Sequence, residues 1–210
     1  MALNQAQAVF AAMIAEKLKL SKKTLNAFAE VDRTLFIPRG LERLTYLTDA
    51  LPIGANQRLS SPLTVAKMTE ALAADDADGA LEIGCGSGYQ AAILSRITRR
   101  VFTIERIERL ALEAKARFKA LNYSNISVRF DDGHSGWKTY APFDRILLSC
   151  ETDSIAPALI EQLAIGGVLV APVNGKITRI VKRYNGALTK ETLDDCSFVP
   201  MLGGVERDDR

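Results

Sequence analysis

The sequence predicts an α/β fold built on a doubly wound, mostly parallel sheet, and three observations lead there. From residue 64 to residue 172, apolar runs of strand length alternate with helical patterns, the mark of parallel strands joined by right-handed crossovers with helices on both faces. The first of these runs, Leu81-Glu82-Ile83, ends in a turn carrying three alternate glycines, Gly84, Gly86 and Gly88, before a helical pattern begins. Beyond residue 173, two further runs at 177–183 and 187–192 flank Tyr184-Asn185-Gly186. Asn-Gly is a hairpin signal, so the sheet should end in antiparallel strands.

At the N-terminus Val9, Phe10, Met13, Ile14 and Leu18 recur at helical spacing, and Ser21 opens a second helical pattern through Leu25 and Phe28. An apolar stripe of this kind is ordinarily buried, so these are read as helices docked on the core. Pro38 with Gly40 and Pro52 with Gly54 punctuate residues 36–62, which are expected to form a long irregular connection. Long loops in compact domains are functional or disordered, and Leu51, Ile53, Leu59 and Leu63 favour the first. The regular part then reads helix 64–74, strand 80–83, helix 89–97, strand 100–104, helix 107–121 and strand 126–130. After a loop holding Trp137 come strand 144–149, helix 156–163, a turn at Gly166-Gly167 and strand 168–172. With the terminal hairpin this makes seven strands in a single domain over 1–210. Residues 1–62 give the helices and a substrate loop, 64–172 the α/β core, and 173–210 an antiparallel extension.

Composition narrows the function. An apolar fraction of 48% over 210 residues suffices for a full core without disulfides or metals. The 27 Lys and Arg nearly balance 25 Asp and Glu, so nothing calls for a polyanion, and no nucleic-acid partner is expected. Cys85, Cys150 and Cys196 cannot all pair and lack C-x-x-C spacing, which suits a reducing cytoplasm and no metal site. No basic segment leads into an apolar run, and no stretch approaches the ~18 apolar residues of a membrane span. A soluble cytoplasmic protein is therefore expected, and it is taken to be a monomer.

The glycine spacing departs from the Gly-x-Gly-x-x-Gly dinucleotide fingerprint, which disfavours a nicotinamide-dependent dehydrogenase. It resembles instead the acid-Gly-x-Gly-x-Gly loop of S-adenosylmethionine-dependent methyltransferases. In a parallel sheet, ligands bind beyond the carboxyl ends of the strands where strand order reverses. Four segments should meet there: the Gly84–Gly88 loop, Glu105 after the second strand, Asp131-Asp132-Gly133 after the third, and Ser149-Cys150-Glu151-Thr152 after the fourth. Glycines would face the methionine portion, Glu105 the two ribose hydroxyls, an acid with a backbone amide the adenine edge, and the fourth loop the methyl.

A closer resemblance covers nearly the whole chain. Val31-Asp32-Arg33-Thr34-Leu35-Phe36-Ile37-Pro38, Ala50-Leu51-Pro52-Ile53-Gly54, Gln57 with Leu59-Ser60 and Pro62, and Glu82-Ile83-Gly84 to Gly88-Tyr89-Gln90 carry it. Ile104-Glu105-Arg106, Asp132-Gly133, Ala141-Pro142-Phe143-Asp144, Gln162-Leu163, Gly166-Gly167 and Phe198-Val199-Pro200 extend it. The chain resembles bacterial protein-L-isoaspartate O-methyltransferases. The resemblance implies a Rossmann-like class I methyltransferase fold. It also implies transfer of a methyl from S-adenosylmethionine to the α-carboxylate of isoaspartyl residues in aged proteins, whose ester then closes to a succinimide. Cofactor contacts are implied for Gln57, Leu59, Glu82, Gly84, Cys85, Gly86, Ser87, Gly88, Glu105, Arg106, Asp132 and Gly133. Ser60 aligns with the family's active-site serine, and Cys150 and Val199 fall on the substrate side.

A carboxylate nucleophile is already anionic, so positioning matters more than a general base. The sole histidine, His134, is accordingly read as an exposed loop residue. Three features depart from the family pattern: Arg58, which sets a guanidinium beside the presumed carboxylate site; the polar Ser149-Cys150-Glu151-Thr152 loop; and Ser197. Because these lie on the substrate side, two other readings stay open: a methyltransferase retargeted to another substrate, and a cofactor-binding protein that has lost catalysis.

Overall fold

In the computed structural model, which describes residues 5–75 and 77–208, a seven-stranded sheet organises the molecule. Its strands are β3 (Gly79–Ile83), β4 (Arg100–Glu105), β5 (Ile126–Phe130), β6 (Phe143–Leu148), β7 (Leu163–Val173), β8 (Lys176–Lys182) and β9 (Leu188–Asp195), preceded in the chain by a small hairpin, β1 (Leu51–Gly54) and β2 (Gln57–Leu59). The order is β5-β4-β3-β6-β7-β8-β9. Strands β3 to β7 pair in parallel, whereas β8 and β9 are antiparallel to their neighbours, as Asn185-Gly186 implied. The chain runs outward from β3 through β4 to β5 and then returns to the other side of β3. The reversal therefore falls between the carboxyl ends of β3 and β6, which is where such sheets bind ligands.

The helices are α1 (Gln5–Lys17), α2 (Lys22–Glu30), α3 (Pro62–Leu72), α4 (Tyr89–Leu94), α5 (Glu108–Ala120) and α6 (Pro157–Gln162). Helix α3 starts two residues before the expected boundary because Pro62 occupies its first turn, where a missing N–H costs nothing. Ser21 caps α2 as expected, its hydroxyl accepting from the Thr24 amide at 3.2 Å. In α1, Phe10 and Ile14 are buried but Val9 is 64% exposed; Gln7 faces inward instead, its amide donating to the Phe28 carbonyl at 2.8 Å. A buried polar group that finds its partner fits the core as well as an apolar one.

The two sheet faces are covered unequally. Helices α1 to α5 pack on one face in a single core that includes Phe28, Tyr89 and Phe118. On the other, α6 is joined by the loop at 133–142, whose Trp137 and Tyr140 rings lie 5.6 and 4.3 Å from Phe102.

Three segments differ from the sequence reading. Gly166-Gly167 is not a turn but lies inside β7, where pairing jumps from Phe143↔Leu163 to Arg145↔Val168. A Cβ on Gly167 would stand 2.7 Å from the Ala164 carbonyl, so the pair permits a bulge. The 36–62 connection holds the β1/β2 hairpin, turned through Ala55 and Asn56 with φ of 50° and 54°. Two consecutive positive φ values make a type I′ turn, which the pair Ala-Asn does not announce. Last, the chain after β9 runs as an extended strap across the carboxyl ends of the parallel strands, bridging Glu151↔Pro200 and Ile107↔Glu206.

Candidate active site

The glycine turn joins β3 to α4. Cys85 and Gly84 donate to the Ile104 carbonyl at 3.2 and 2.8 Å, which ties the turn to β4. Gly86 and Gly88 take φ of 53° and 87°, a region L side chains avoid. A Cβ at Gly88 would also sit 2.5 Å from the Phe118 ring, so α5 can close on the turn only at a glycine. From α5, Arg117 donates to the Ser87 carbonyl at 2.9 Å.

Two acids line the cavity in front of this turn. Glu105, 5% exposed, accepts from the Gly86 and Ile107 amides at 2.8 and 3.0 Å. A carboxylate has about four lone-pair sites, so Glu105 keeps acceptor capacity for a ligand hydroxyl. Burial pushes its pKa up, against the opposing pull of those amides. Glu82 lies below the turn, fully buried, accepting from the hydroxyls of Thr103 at 2.6 Å and Ser149 at 3.1 Å. Desolvation pushes Glu82 up to about 8, although both hydroxyl contacts favour the ionised form. A cation entering the cavity would restore the charge. Ser149 belongs to the loop expected at the site, whereas Thr103 was not among the expected residues. Register shows Thr103 beside Glu82 in the adjacent strand, information no linear spacing holds.

The cavity has about 930 Å³ of empty space, part of it open to solvent, and is walled by the glycine turn, the hairpin and the strap. Gln57, Leu59 and Ser60 line it from the hairpin, with Ile53 closest to Gly86: a Cβ there would lie 3.2 Å from the Ile53 side chain. Ser60 is not the cap of α3; that position belongs to Ser61. Arg58 stands at the rim, exposed, its guanidinium donating to the Ala50 carbonyl at 2.9 Å. Cys85 and Cys150 are buried in the wall, and burial pushes both thiols up, Cys150 to about 12, so neither serves as a thiolate. Gly133 and Val199 also line the cavity, as do Tyr89, Gln90, Phe198 and Met201, which the reading of the sequence did not assign to the site.

Other expected residues face the strap. Arg106 borders the cavity, yet its guanidinium reaches the Gly204 carbonyl and the Glu206 carboxylate, each at 3.2 Å. Asp132 is absent from the cavity wall. Its carboxylate accepts from the Gly204 amide at 2.6 Å and the His134 amide at 2.9 Å. Burial raises its pKa, but those bonds prevail and hold it below the ordinary value. His134 is half-exposed beside Asp132, its Nδ1 2.7 Å from Oδ1. Glu151, in the divergent loop, accepts from the Gly175 amide at 2.7 Å and pairs by its backbone with Val199 and Met201. It holds the strap and does not line the cavity.

The cavity thus offers two buried acids and a glycine turn open to close approach, walled on the far side by the hairpin and the strap. These features fit S-adenosyl-L-methionine, whose ammonium and sulfonium complement the acids. Among the described residues, no cluster of His, Cys, Asp and Glu is arranged to hold a metal. No helix among them is long and apolar enough to cross a membrane.

Comparison with known proteins agrees with this geometry. The chain is 48% identical over 197 residues to a Helicobacter pylori (strain P12) protein-L-isoaspartate O-methyltransferase, covering 92% of this chain and 94% of the relative. It is 43% identical over 188 residues to the enzyme of that name from Maricaulis maris, covering 88% of each. A Plasmodium falciparum crystal structure, described as a protein-L-isoaspartate O-methyltransferase in complex with S-adenosyl-L-homocysteine, superposes with a TM-score of 0.82 at 19% identity, over 93% of this chain and 98% of that one. Residues 4–206 match the family model of protein-L-isoaspartate(D-aspartate) O-methyltransferases, and with relatives this similar along nearly the whole length the chain belongs to that family.

Proposed function

We propose that this protein transfers a methyl group from S-adenosyl-L-methionine to the α-carboxylate of L-isoaspartyl residues in damaged proteins, the step that initiates their repair. The observation that carries the reading is the meeting of two chain segments in one cavity: the glycine turn with Glu82 and Glu105, and the hairpin exit at Ser60. When bound, S-adenosyl-L-methionine supplies an electrophilic methyl on a sulfonium that departs as a neutral thioether. The chain's residues need only hold the acceptor in line and keep water out, which alone removes much of a barrier. Glu105 keeps acceptor capacity for the ribose hydroxyls, and Glu82 supplies negative charge at the cavity floor. The Ser60 hydroxyl donates to one carboxylate oxygen and leaves the other free to attack. No general base is required, consistent with His134 pairing with Asp132.

The substrates are isoaspartyl-containing proteins and peptides. The near balance of 27 basic and 25 acidic residues fits protein rather than nucleic-acid substrates, and the three unpaired cysteines fit the reducing cytoplasm. The test incubates the protein with methyl-labelled cofactor and matched aspartyl and isoaspartyl peptides. Base-labile label is expected on the isoaspartyl peptide only; label on neither, with the cofactor still bound, would point to a different acceptor. In the same assay Ser60→Ala should lower kcat while S-adenosyl-L-homocysteine affinity by calorimetry stays within about twofold.

A further inference from the structure

Among the described residues Arg33 is the largest fully buried side chain, and no carboxylate among them lies within ion-pair distance of it. It sits in a single 3₁₀ turn, Arg33–Phe36, after α2. One guanidinium nitrogen, Nη1, donates to the Thr45 carbonyl and to that of Leu47 at 3.4 Å; the other, Nη2, donates to the Ser60 carbonyl at 3.4 Å. Nε has no partner. The cation lies 5.9 Å from the centre of the Phe10 ring and 5.7 Å from that of Tyr89.

These contacts are organised around the hairpin. Thr45 and Leu47 precede β1, and Ser60 directly follows β2, so one planar group holds both feet of the β1/β2 unit. Tyr89 is the first residue of α4, directly after the glycine turn, which sets the same guanidinium against the cofactor side. Stability alone does not call for a cation here. An isolated buried charge carries a large desolvation penalty, and apolar replacements of buried charged groups are often neutral or stabilising. What an apolar side chain cannot do is donate to three carbonyls in fixed directions.

We propose that Arg33 is a positioning residue for methyl transfer, fixing Ser60 relative to the glycine turn by clamping both feet of the hairpin. The proposal rests on the assignment of Ser60 to the acceptor carboxylate. Because Arg33 touches neither acceptor nor donor, its loss should misplace Ser60 without removing a cofactor contact.

The full-length protein is compared with Arg33→Met, Arg33→Lys, Ser60→Ala and the double variant Arg33→Met/Ser60→Ala. Readouts are kcat and KM on an isoaspartyl peptide, S-adenosyl-L-homocysteine affinity by calorimetry, and thermal melting. Arg33→Met should lower kcat by roughly 100-fold, since a small misplacement of a reacting group can cost that much, and Arg33→Lys by less. Inhibitor affinity should stay within about threefold, and Ser60→Ala should add almost nothing in the Arg33→Met background, because both act on one contact. A folded Arg33→Met with kcat within about twofold of wild type overturns the proposal, as does a full-sized Ser60→Ala effect in that background. If both Arg33 variants are unfolded at the assay temperature, the residue is a folding determinant and the proposal falls. If Ser60→Ala leaves the otherwise unchanged protein fully active, it is the assignment of Ser60 that fails, whatever Arg33 does.

Discussion

At the scale of single residues, the buried acids govern how the protein responds to pH. Glu82 has an ordinary value of 4.5 and is pushed to about 8 by burial, so the folded chain binds a proton that the unfolded chain has released between those values. Stability from this group is complete below about pH 4.5 and is lost as pH rises toward 8. One proton corresponds to a slope of about 1.4 kcal/mol per pH unit. Glu105 is displaced in the same direction for the same reason. Glu82→Gln mimics the protonated acid in shape and can keep the Thr103 and Ser149 contacts. Denaturant unfolding of the ligand-free protein between about pH 5 and pH 8 should therefore show stability falling in the wild type and a flatter profile in the variant. Identical slopes would mean that Glu82 is already ionised in the folded state.

At the scale of elements, the cavity is closed by two pieces outside the regular α/β alternation, held by different means. The hairpin is fixed through Arg33, whereas the strap is laced to the loops after β4, β5 and β6. Glu206 pairs with the backbone of Arg106 and Glu108, Gly204 donates to Asp132, and Val199 and Met201 pair with Glu151. Arg106 adds two side-chain bonds to Gly204 and Glu206, and its side chain is only 22% exposed. Losing them should loosen the strap locally by about 1 kcal/mol without unfolding the sheet. Hydrogen exchange then gives the readout: in Arg106→Ala, the amides of Gly204 and Glu206 should exchange several-fold faster, while those of β3 and β4 keep their protection. Unaltered exchange at both amides would show that the backbone pairing alone holds the strap.

At the scale of the whole molecule, the ligand should act as part of the core. The cavity lies where strand order reverses, and its wall draws on the hairpin, β3, β4, the loop after β6 and the strap. Occupancy should therefore stabilise the fold globally. At about 100 times its dissociation constant, a ligand that binds only the folded state adds about 2.7 kcal/mol. For a chain of this length that is a rise in Tm of roughly 5–10 °C. S-adenosyl-L-homocysteine should produce this shift in a thermal melt, and an unmoved transition would remove the cavity as the cofactor site.

Local pattern was enough to reveal the α/β alternation, the glycine turn with its flanking acids and the antiparallel end of the sheet. Each of these is written in the period of apolar residues or in a residue type that a tight turn demands. Family likeness added Ser60 and Val199, which no periodicity marks. The tertiary structure alone decided the remainder. Thr103 and Ser149 reach Glu82 through strand register, Asp132 and Arg106 turn to a strap that arrives from about 70 and 100 residues away, and Glu151 does the same. Gly166-Gly167 is a bulge because of the strand beside it, and Arg33 gathers the two ends of a hairpin that its own neighbours in sequence do not announce. The physical reason is common to all of them. A side chain's reach is set by its neighbours in space, and a buried polar group bonds to whichever donor or acceptor folding brings within about 3 Å.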